Sequence, residues 1–412
     1  MLRTIQFSVL LAIGMLMTMT TSARAQDPEQ HPPEHIHMAE PSPSAAWTWA
    51  TDANVFYGYN YQQRKFADFW AWESQNWFML DGTREVGKGR LTLDGMLSLE
   101  PFTLEGIGSP QIYQTGESYQ NVPLVNYQHP HDLFMGLGAT YKIDVAPVTL
   151  AFTADLVGSP ALGPTAFMHR ESARDNPQVP LTHHYLDSTH ITTGVLTAGV
   201  ETGSLTFEAS AFRGEEPDEN RTNIDTPRLD SYSGRISWHR GAWQAQFSAG
   251  HLDKPEWYEP YDVTRLTASI GFSGNVVSRP LSATFAWGEN RQAIVANGVS
   301  DAFLLEWDCR ATPSTTIYGR AEVTEKELFG LGLHPAGFTH PHYYSHVDAL
   351  TTGAVWDLPN VASVVRGRLG VGADITAYHP SPDLLQFYDG SRSFHVFLRW
   401  RPIRSTAHVH AH

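Results

Sequence analysis

The chain contains little cysteine, little basic charge and few long apolar runs. A single Cys among 412 residues excludes an internal disulfide and zinc sites made from paired cysteines. Lys and Arg number 28 against 43 Asp and Glu, and the net charge of −15 argues against a nucleic-acid partner, which requires a basic face. After residue 25 no stretch approaches the ~18 consecutive apolar residues of a transmembrane helix, which excludes a helical membrane protein.

The first 25 residues have the features of a secretory signal peptide. Arg3 provides a positive charge, residues 7–17 are almost wholly apolar, and Ala23-Arg24-Ala25 matches an A-x-A cleavage site. The apolar run is shorter than the ~20 residues that an uncleaved membrane anchor requires. We therefore expect a signal peptide at 1–25 and a mature chain that is either a soluble periplasmic protein or an outer-membrane barrel.

Alternation of apolar and polar residues distinguishes these two classes. In the last such run Phe394, Val396 and Leu398 fall on one face of an extended chain, and Arg399 and Arg401 fall on the other. Many runs reach about ten residues, the length of a tilted membrane strand, whereas strands of soluble proteins average about five or six. The pattern predicts an all-β fold: an antiparallel transmembrane β-barrel of about 16 strands (roughly 14–18).

The connections between the runs alternate in length. Short ones are predicted at 201–204, 240–241, 311–314 and 358–361, and long ones at 102–131, 158–188, 214–230, 326–344 and 377–390. Short turns on the periplasmic side and long loops on the outer side are typical of bacterial outer-membrane barrels. An even number of strands then places both termini in the periplasm.

Over residues 47–402 this pattern resembles the bacterial outer-membrane β-barrel proteins of porin type. The most specific part is the final strand, where Trp400 stands near the end, as an aromatic residue does in the terminal strand that barrel-assembly machinery reads. The resemblance implies a barrel in the bacterial outer membrane, surrounded by its lipid and assembled by that machinery, with homo-oligomers as an open alternative. This chain departs from the family in continuing to His412.

The remainder of the mature chain then forms two flanking segments. Residues 26–46 are rich in His and Pro and are expected to be a disordered periplasmic segment, and 403–412 form a His-rich C-terminal tail. Closure of a barrel would bring both tails to the same rim.

If the apolar faces contact lipid, the opposite faces line the interior. Over residues 301–401 those faces carry charges of both signs. The residues expected in the lumen are Glu306, Asp308, Arg310, Arg320, Glu322, His346, Asp348, Arg366, Arg368, Asp374, His395, Arg399 and Arg401. They form either the opposed walls of a charged channel or a salt-bridged network that fills the bore, and the sequence leaves both open. In a channel, Arg399→Gln is expected to leave assembly intact.

Histidines, 20 in all, concentrate in the predicted outer loops and the two tails. Several are spaced as H-x-H, which puts both imidazoles on one face of an extended chain, where they can bind one copper or zinc ion. The candidate metal ligands are His35, His37, His129, His131, His340, His342, His408, His410 and His412. For the two H-P-H pairs a rigid loop corner is the alternative. The stretch HPPEHIHM is loosely similar to outer-membrane copper-resistance proteins of the B type.

These features predict an outer-membrane channel of porin type for small solutes, linked to copper or zinc handling and requiring no cofactor. The first alternative is a non-conducting barrel whose loops or tails bind metal or a partner. The second is an outer-membrane hydrolase that uses Asp187, Ser188 and His190, because a serine and a histidine two positions apart on a strand share a face. The chain lacks a nucleophile-elbow motif, and we expect no enzymatic activity.

Overall fold

The computed structural model describes residues 46–104, 107–256, 261–292, 298–333 and 343–402. The predicted signal peptide, nearly all of the 26–46 segment and the tail at 403–412 lie outside these residues and stay predictions. So do seven of the predicted metal ligands: His35, His37, His340, His342, His408, His410 and His412. Within the described ranges no helix combines the length and the apolar character that crossing a membrane requires.

Sixteen antiparallel strands form one closed barrel. The first eight are β1 (Thr48–Arg64), β2 (Ala67–Glu73, continued by Asn76–Val86), β3 (Gly89–Leu97), β4 (Phe134–Val145), β5 (Val148–Gly158), β6 (Thr192–Thr202), β7 (Leu205–Phe212) and β8 (Ser231–Arg240). The others are β9 (Trp243–Leu252), β10 (Val263–Val276), β11 (Arg279–Gln292), β12 (Val299–Thr312), β13 (Thr315–Glu327), β14 (Tyr344–Asp357), β15 (Gly367–Pro380) and β16 (Arg392–Pro402). Each strand pairs with the next and β16 pairs with β1, which confirms the predicted fold and strand number.

The strand β2 consists of two pieces that pair with different halves of β1. Ala67–Glu73 pairs with Gly58–Arg64, and Asn76–Val86 pairs with Thr48–Val55. On the other side of β1, the chain can approach β16 closely because residue 58 is glycine. A Cβ at Gly58 would lie 2.3 Å from the carbonyl oxygen of Val396, so any larger residue would push the closing pair of strands apart.

Short turns and long loops occupy opposite rims of the barrel, as predicted. Two-residue turns lie at 87–88, 146–147, 203–204, 241–242, 277–278 and 313–314, on what we call the short-turn rim. In one of them Val277 and Ser278 have φ of 50° and 62°, the conformation of a type I′ hairpin turn. The opposite rim, called the loop rim, carries among others the connections 98–133, 159–191 and 213–230. Among the connections on this rim that are described in full, the one at 65–66 is a tight turn and joins β1 to β2.

On the short-turn rim, the connection 358–366 is longer than the predicted turn at 358–361. Arg366 therefore lies in this connection and not on a strand. The connection contains two short helical turns, Pro359–Val361 and Ala362–Val365, and β15 begins only at Gly367. Arg366 is exposed in this connection with φ of 48°. Its predicted place on an inward strand face was therefore wrong, because the two-residue period does not apply to a helical turn.

The faces of the last strand agree with the sequence pattern. On β16 the side chains of Phe394, Val396 and Leu398 are 39%, 50% and 44% exposed, and they belong to the apolar outer surface of the barrel. Phe397 and Arg399 point inward and are buried. Closure of the barrel pairs the backbone of every strand edge, and an apolar outer belt is suited to contact with lipid. This outer surface is therefore the membrane-facing surface.

The strand β14 has the opposite parity to that predicted from sequence. His346 is exposed and Asp348 half-buried on its outer face, whereas Ser345 and Val347 are buried on its inner face. The inner wall here is apolar because it packs against buried residues from several connections, which form one cluster: Ile112, Tyr113, Leu181, Leu328, Leu331, Leu333, Val347, Ala349, Leu384 and Tyr388. The expectation that His346 and Asp348 line the lumen was wrong, since polarity alone marks the inner face only where water or charge fills the bore.

Cysteine labelling of intact cells should report the orientation of the two rims. In a Cys309→Ser background, a cysteine at Thr226, exposed in the 213–230 loop, should react with a membrane-impermeant maleimide because long loops lie outside the cell. A cysteine at Ser204, exposed in the turn between β6 and β7, should react only after the outer membrane is permeabilised. Reaction at 204 with protection at 226 would reverse the orientation.

Candidate functional site

Residues 159–191, between β5 and β6, fold back into the barrel and cross its interior. This inward segment contains three short helical turns: Phe167–His169, His183–Leu186 and Ser188–His190. Its charged residues Arg170, Asp175 and Asp187 are buried. A charged side chain is stable inside a protein only when it is paired and hydrogen-bonded, so the barrel wall has to supply matching groups.

Arg170 and Glu306 form the first of these matches. Nε of Arg170 donates to Oε1 of Glu306 at 2.6 Å, and its Nη1 donates to Asp187 of the same segment at 2.5 Å. Glu306, on β12, also accepts from Ser172 Oγ at 2.9 Å and from Arg320 Nε at 3.4 Å. The carboxylate of Glu306 is therefore fully used by the inward segment and by the neighbouring strand β13.

Asp175 forms the second match, with two arginines of β16. It accepts from Arg399, and from Nη2 of Arg401 at 2.8 Å and 3.1 Å; Arg399 also donates to Asp357. Burial alone would raise the pKa of Asp175, but the guanidiniums of Arg401 and Arg399 lower it well below its usual range. Asp175 therefore stays charged at physiological pH and holds the segment to β16.

Backbone groups of the inward segment provide further anchors. Glu322 on β13 accepts from the backbone N–H and the hydroxyl of Thr182 at 3.0 and 3.2 Å. Lys326 donates to the carbonyl of Leu181 at 2.9 Å, and Arg320 donates to the carbonyl of Gln178 at 2.7 Å. The wall formed by β12–β16 thus binds the segment along much of its length.

The other residues predicted in the lumen lie on the same wall. Asp374 accepts from Tyr318 at 2.8 Å and lies 2.6 Å from Nδ1 of His395, and both Asp374 and His395 are buried. Asp308 is half-buried, Arg310 lies 3.7 Å from Asp357 near the short-turn rim, and Arg368 is exposed opposite Arg401. Of the residues predicted in the lumen, all but Arg366, His346 and Asp348 lie on the inner side of β12–β16.

The wall on the opposite side of the barrel is more open to water. Arg235 on β8 bonds Glu208 on β7 at 2.9 Å, and each side chain is 21% exposed. Nearer the short-turn rim, Lys142 and Glu201 lie 2.6 Å apart and are 40% and 36% exposed. The side chain of Arg399, by contrast, has no exposed surface. The inward segment therefore fills the bore along the middle of β12–β16, whereas the wall along β4–β8 is more exposed to water and is called the wet side.

Five histidines meet where the connections at the loop rim enter the barrel. The rings of His131 and His190 have centroids 5.4 Å apart, those of His183 and His190 5.1 Å, and those of His183 and His184 5.4 Å. Sequence spacing identified only His129 and His131 as ligands. The side chains of adjacent residues point in opposite directions on an extended chain. His183 and His184, however, belong to a helical turn, which the local sequence did not predict.

The predicted H-x-H pair at 129 and 131 does not converge on one point. Nε2 of His129 lies 2.9 Å from Glu117, whereas Nδ1 of His131 lies 2.8 Å from Glu100, and the two rings are 6.5 Å apart. The prediction that the two histidines form a joint pair of ligands does not match this geometry, because each ring pairs with its own carboxylate.

Two groups of His and Glu side chains nevertheless have donor atoms close enough to share an ion. The atoms of Glu117, His129 and Glu216 lie within 4.8 Å of one another, and so do those of His184, Glu216 and Glu256. Glu216 comes from the 213–230 loop and Glu256 follows β9, and neither residue was singled out by sequence. Only the folding of four connections onto one another brings these residues together.

The predicted hydrolase constellation is not assembled. Asp187-Ser188-Thr189-His190 does not open a strand, because Ser188–His190 form a 3-10 turn and β6 begins at Thr192. Ser188 Oγ accepts from Arg265 at 2.9 Å, and Nδ1 of His190 lies 2.8 Å from the carbonyl oxygen of Asp187. The serine and the histidine therefore have separate partners and no shared face.

The sequence matches no known family model and no curated protein. Solved structures match it in fold. The loop L8 deletion mutant of OmpT, an outer membrane protein of Vibrio cholerae, is 11% identical, with 86% of this chain and 99% of that chain covered and a TM-score of 0.51. In-vitro folded OmpT in its trimer form is 9% identical, with coverage of 86% and 99% and a TM-score of 0.50. OmpF of Salmonella typhi, in complex with daunomycin, is 11% identical, with coverage of 86% and 97% and a TM-score of 0.51. This chain therefore has the closed 16-strand barrel fold of the bacterial outer-membrane porins.

Proposed function

We propose that the protein is a narrow outer-membrane channel for small hydrophilic solutes, constricted by the inward segment. The observation that carries this proposal is the segment itself, which crosses the bore. Arg170 and Asp175 anchor it by ion pairs to β12 and β16, whereas β7–β9 hold its beginning at residues 161–163 by hydrogen bonds. Barrels of about 16 strands are wide enough to leave an aqueous channel, so a filled wall opposite a wet wall defines a reduced passage. That the protein has no enzymatic activity stays a prediction; among the described residues, Ser188 and His190 have separate partners.

The charges predict how such a passage selects its solutes. On the wet side and the neighbouring strand β3, half-buried Asp94 and Asp155 face the bore with Glu208, while Arg235 and Lys142 provide the opposing cations. Rings of side chains of one sign favour ions of the other sign. The excess of carboxylates on this wall favours small cations over anions.

Planar-bilayer recording of the purified full-length barrel tests the proposal. We expect discrete conductance steps smaller than those of a wide porin, with a reversal potential in a KCl gradient that indicates preference for K⁺. Protein that migrates as a folded, heat-modifiable band but gives no steps would support the alternative, a non-conducting barrel that binds a ligand at its loops.

The trimer form of OmpT supports a second part of the proposal, that this barrel also assembles as a homo-oligomer. Light scattering of the detergent-solubilised protein tests it, and a monomer mass under non-denaturing conditions would contradict it. Copper or zinc handling, which the sequence suggested, receives no support from the structural neighbours and depends on whether the loops bind metal.

A further inference from the structure

A cluster of five side chains lies at the loop rim, apart from the anchors of the inward segment. It consists of Glu117, His129, His184, Glu216 and Glu256, and we call it the His/Glu cluster. Its residues come from four loops. Two of these loops are joined where the backbone N–H of Glu216 donates to the carbonyl of Pro255 at 3.0 Å, which sets Glu216 beside Glu256. The ring of His184 lies against Gly116, where a Cβ would be 2.4 Å from its Cε1, so this glycine leaves the space that the imidazole occupies.

Hydrogen bonds within the described part of the protein leave some polar atoms of the cluster without a partner. The two nitrogens of His129 face two acceptors, the carbonyl oxygen of Pro130 at 2.9 Å and Oε1 of Glu117 at 2.9 Å. A neutral imidazole has only one N–H to share between these two oxygens. The side chain of Glu216 is 9% exposed, and its Oε1 makes no hydrogen bond; the nearest cationic nitrogen is Nδ1 of His184 at 3.6 Å.

The spacing of these atoms matches the edges of a metal coordination shell. Ligands about 2.1 Å from an ion lie roughly 3.0 Å apart in octahedral and 3.4 Å apart in tetrahedral geometry. The separations are 2.9 Å between His129 and Glu117, 3.1 Å between His184 and Glu256, and 3.6 Å between His184 and Glu216. Imidazole and carboxylate together suit zinc, nickel or copper.

We propose that the His/Glu cluster binds divalent transition-metal ions, with Glu216 as the ligand common to both triads. The basic residues nearby neutralise only part of the negative charge of the cluster, which a divalent cation would balance. Arg221 lies 2.8 Å from Glu117 and 3.4 Å from Asp132, so it neutralises part of one triad. Arg265 donates its hydrogen bonds to Ser188 and Asn290, and Lys326 donates to the carbonyl of Leu181, while both cations also attract the carboxylate of Glu256.

Metal binding here competes with protons. Imidazole and carboxylate bind a metal ion only in their deprotonated forms, so binding should release protons and affinity should fall as the pH is lowered.

Zinc titration of the EDTA-stripped full-length barrel in detergent, by calorimetry in buffers of different ionisation enthalpy, tests the proposal. We expect zinc binding with proton release, and more than about tenfold weaker binding in Glu216→Gln, since loss of a supporting group alone costs 10–100-fold. Glu208→Gln serves as the matched control: it removes an interior carboxylate that pairs with Arg235 outside the cluster, and it should bind zinc as the wild type does.

The tails carry histidines in every variant, so only the difference between variants reports the cluster. If Glu216→Gln does not give a heat-modifiable folded band, Glu256→Gln decides in its place. Unchanged affinity, stoichiometry and proton release in the folded glutamate variants would overturn the proposal and leave any metal binding to the tails. The titration needs no membrane, so its outcome is independent of whether the barrel conducts.

Discussion

Replacing Asp175 with alanine is expected to increase the single-channel conductance of the barrel several-fold and to lower its stability. Asp175 is the carboxylate through which the inward segment holds both Arg399 and Arg401. Its loss leaves two buried guanidiniums short of a partner, and breaking a buried ion pair in this way costs about 3–5 kcal/mol. Movement of the segment toward the loop rim lets water reach both arginines and relieves that cost, and it widens the passage at the same time.

Single-channel recording and the temperature at which the folded band disappears on electrophoresis measure the two effects. Glu201→Ala is the matched control, because it removes a carboxylate that faces the bore and pairs with Lys142, but does not touch the inward segment. A solvated pair of this kind contributes at most about 1 kcal/mol, so conductance steps and thermal stability should stay near those of the wild type. Wild-type conductance in Asp175→Ala would show that the remaining anchors suffice and would contradict the prediction.

The same geometry changes the expectation for Arg399. From the sequence alone, Arg399→Gln is predicted to leave assembly intact and to shift ion selectivity, because a charge that faces the lumen does not contact lipid. In the structure Arg399 is buried and bonds both Asp175 and Asp357, so the substitution leaves two carboxylates with less charge compensation. We now expect Arg399→Gln to reproduce the lower stability and the larger conductance of Asp175→Ala.

Introducing arginine at Leu398 is expected to prevent most of the protein from reaching a folded state in the outer membrane. Leu398 is 44% exposed on the outer face of β16, beside Val371 of β15 and Tyr57 of β1. A lipid-facing arginine near the bilayer midplane costs about 2–4 kcal/mol. The change also lies in the strand that closes the barrel, so it weakens the pairing of β16 with β1 as well as insertion.

The yield of heat-modifiable protein in the outer-membrane fraction measures this effect. Ser204→Arg adds the same charge in an exposed turn of the short-turn rim, outside the apolar belt, and should assemble normally. Equal yields of Leu398→Arg and Ser204→Arg would mean that the outer face of β16 does not contact lipid.

The sequence by itself determined the barrel, because apolar and polar residues alternate along each strand according to whether a side chain contacts lipid or the interior. The alternation around Phe394, Val396 and Leu398 marks a lipid face whatever the rest of the chain does, and a turn such as 241–242 follows from local backbone preferences. Strand positions, strand number and the two rims could therefore be predicted. The parity of β14 could not, because Val347 packs against residues brought from distant connections.

Only the tertiary structure decided what fills the barrel. Arg399 was visible in the sequence as an inward charge, but its partner Asp175 lies far away in a connection with no regular pattern, and ion pairs across a bore leave no periodic signal. The His/Glu cluster depends on the same kind of contact. His129, His184 and Glu216 belong to three different loops, and the sequence around each one does not indicate that the three side chains meet. Local sequence records the environment of a strand face, whereas contacts between loops depend on closure of the whole barrel.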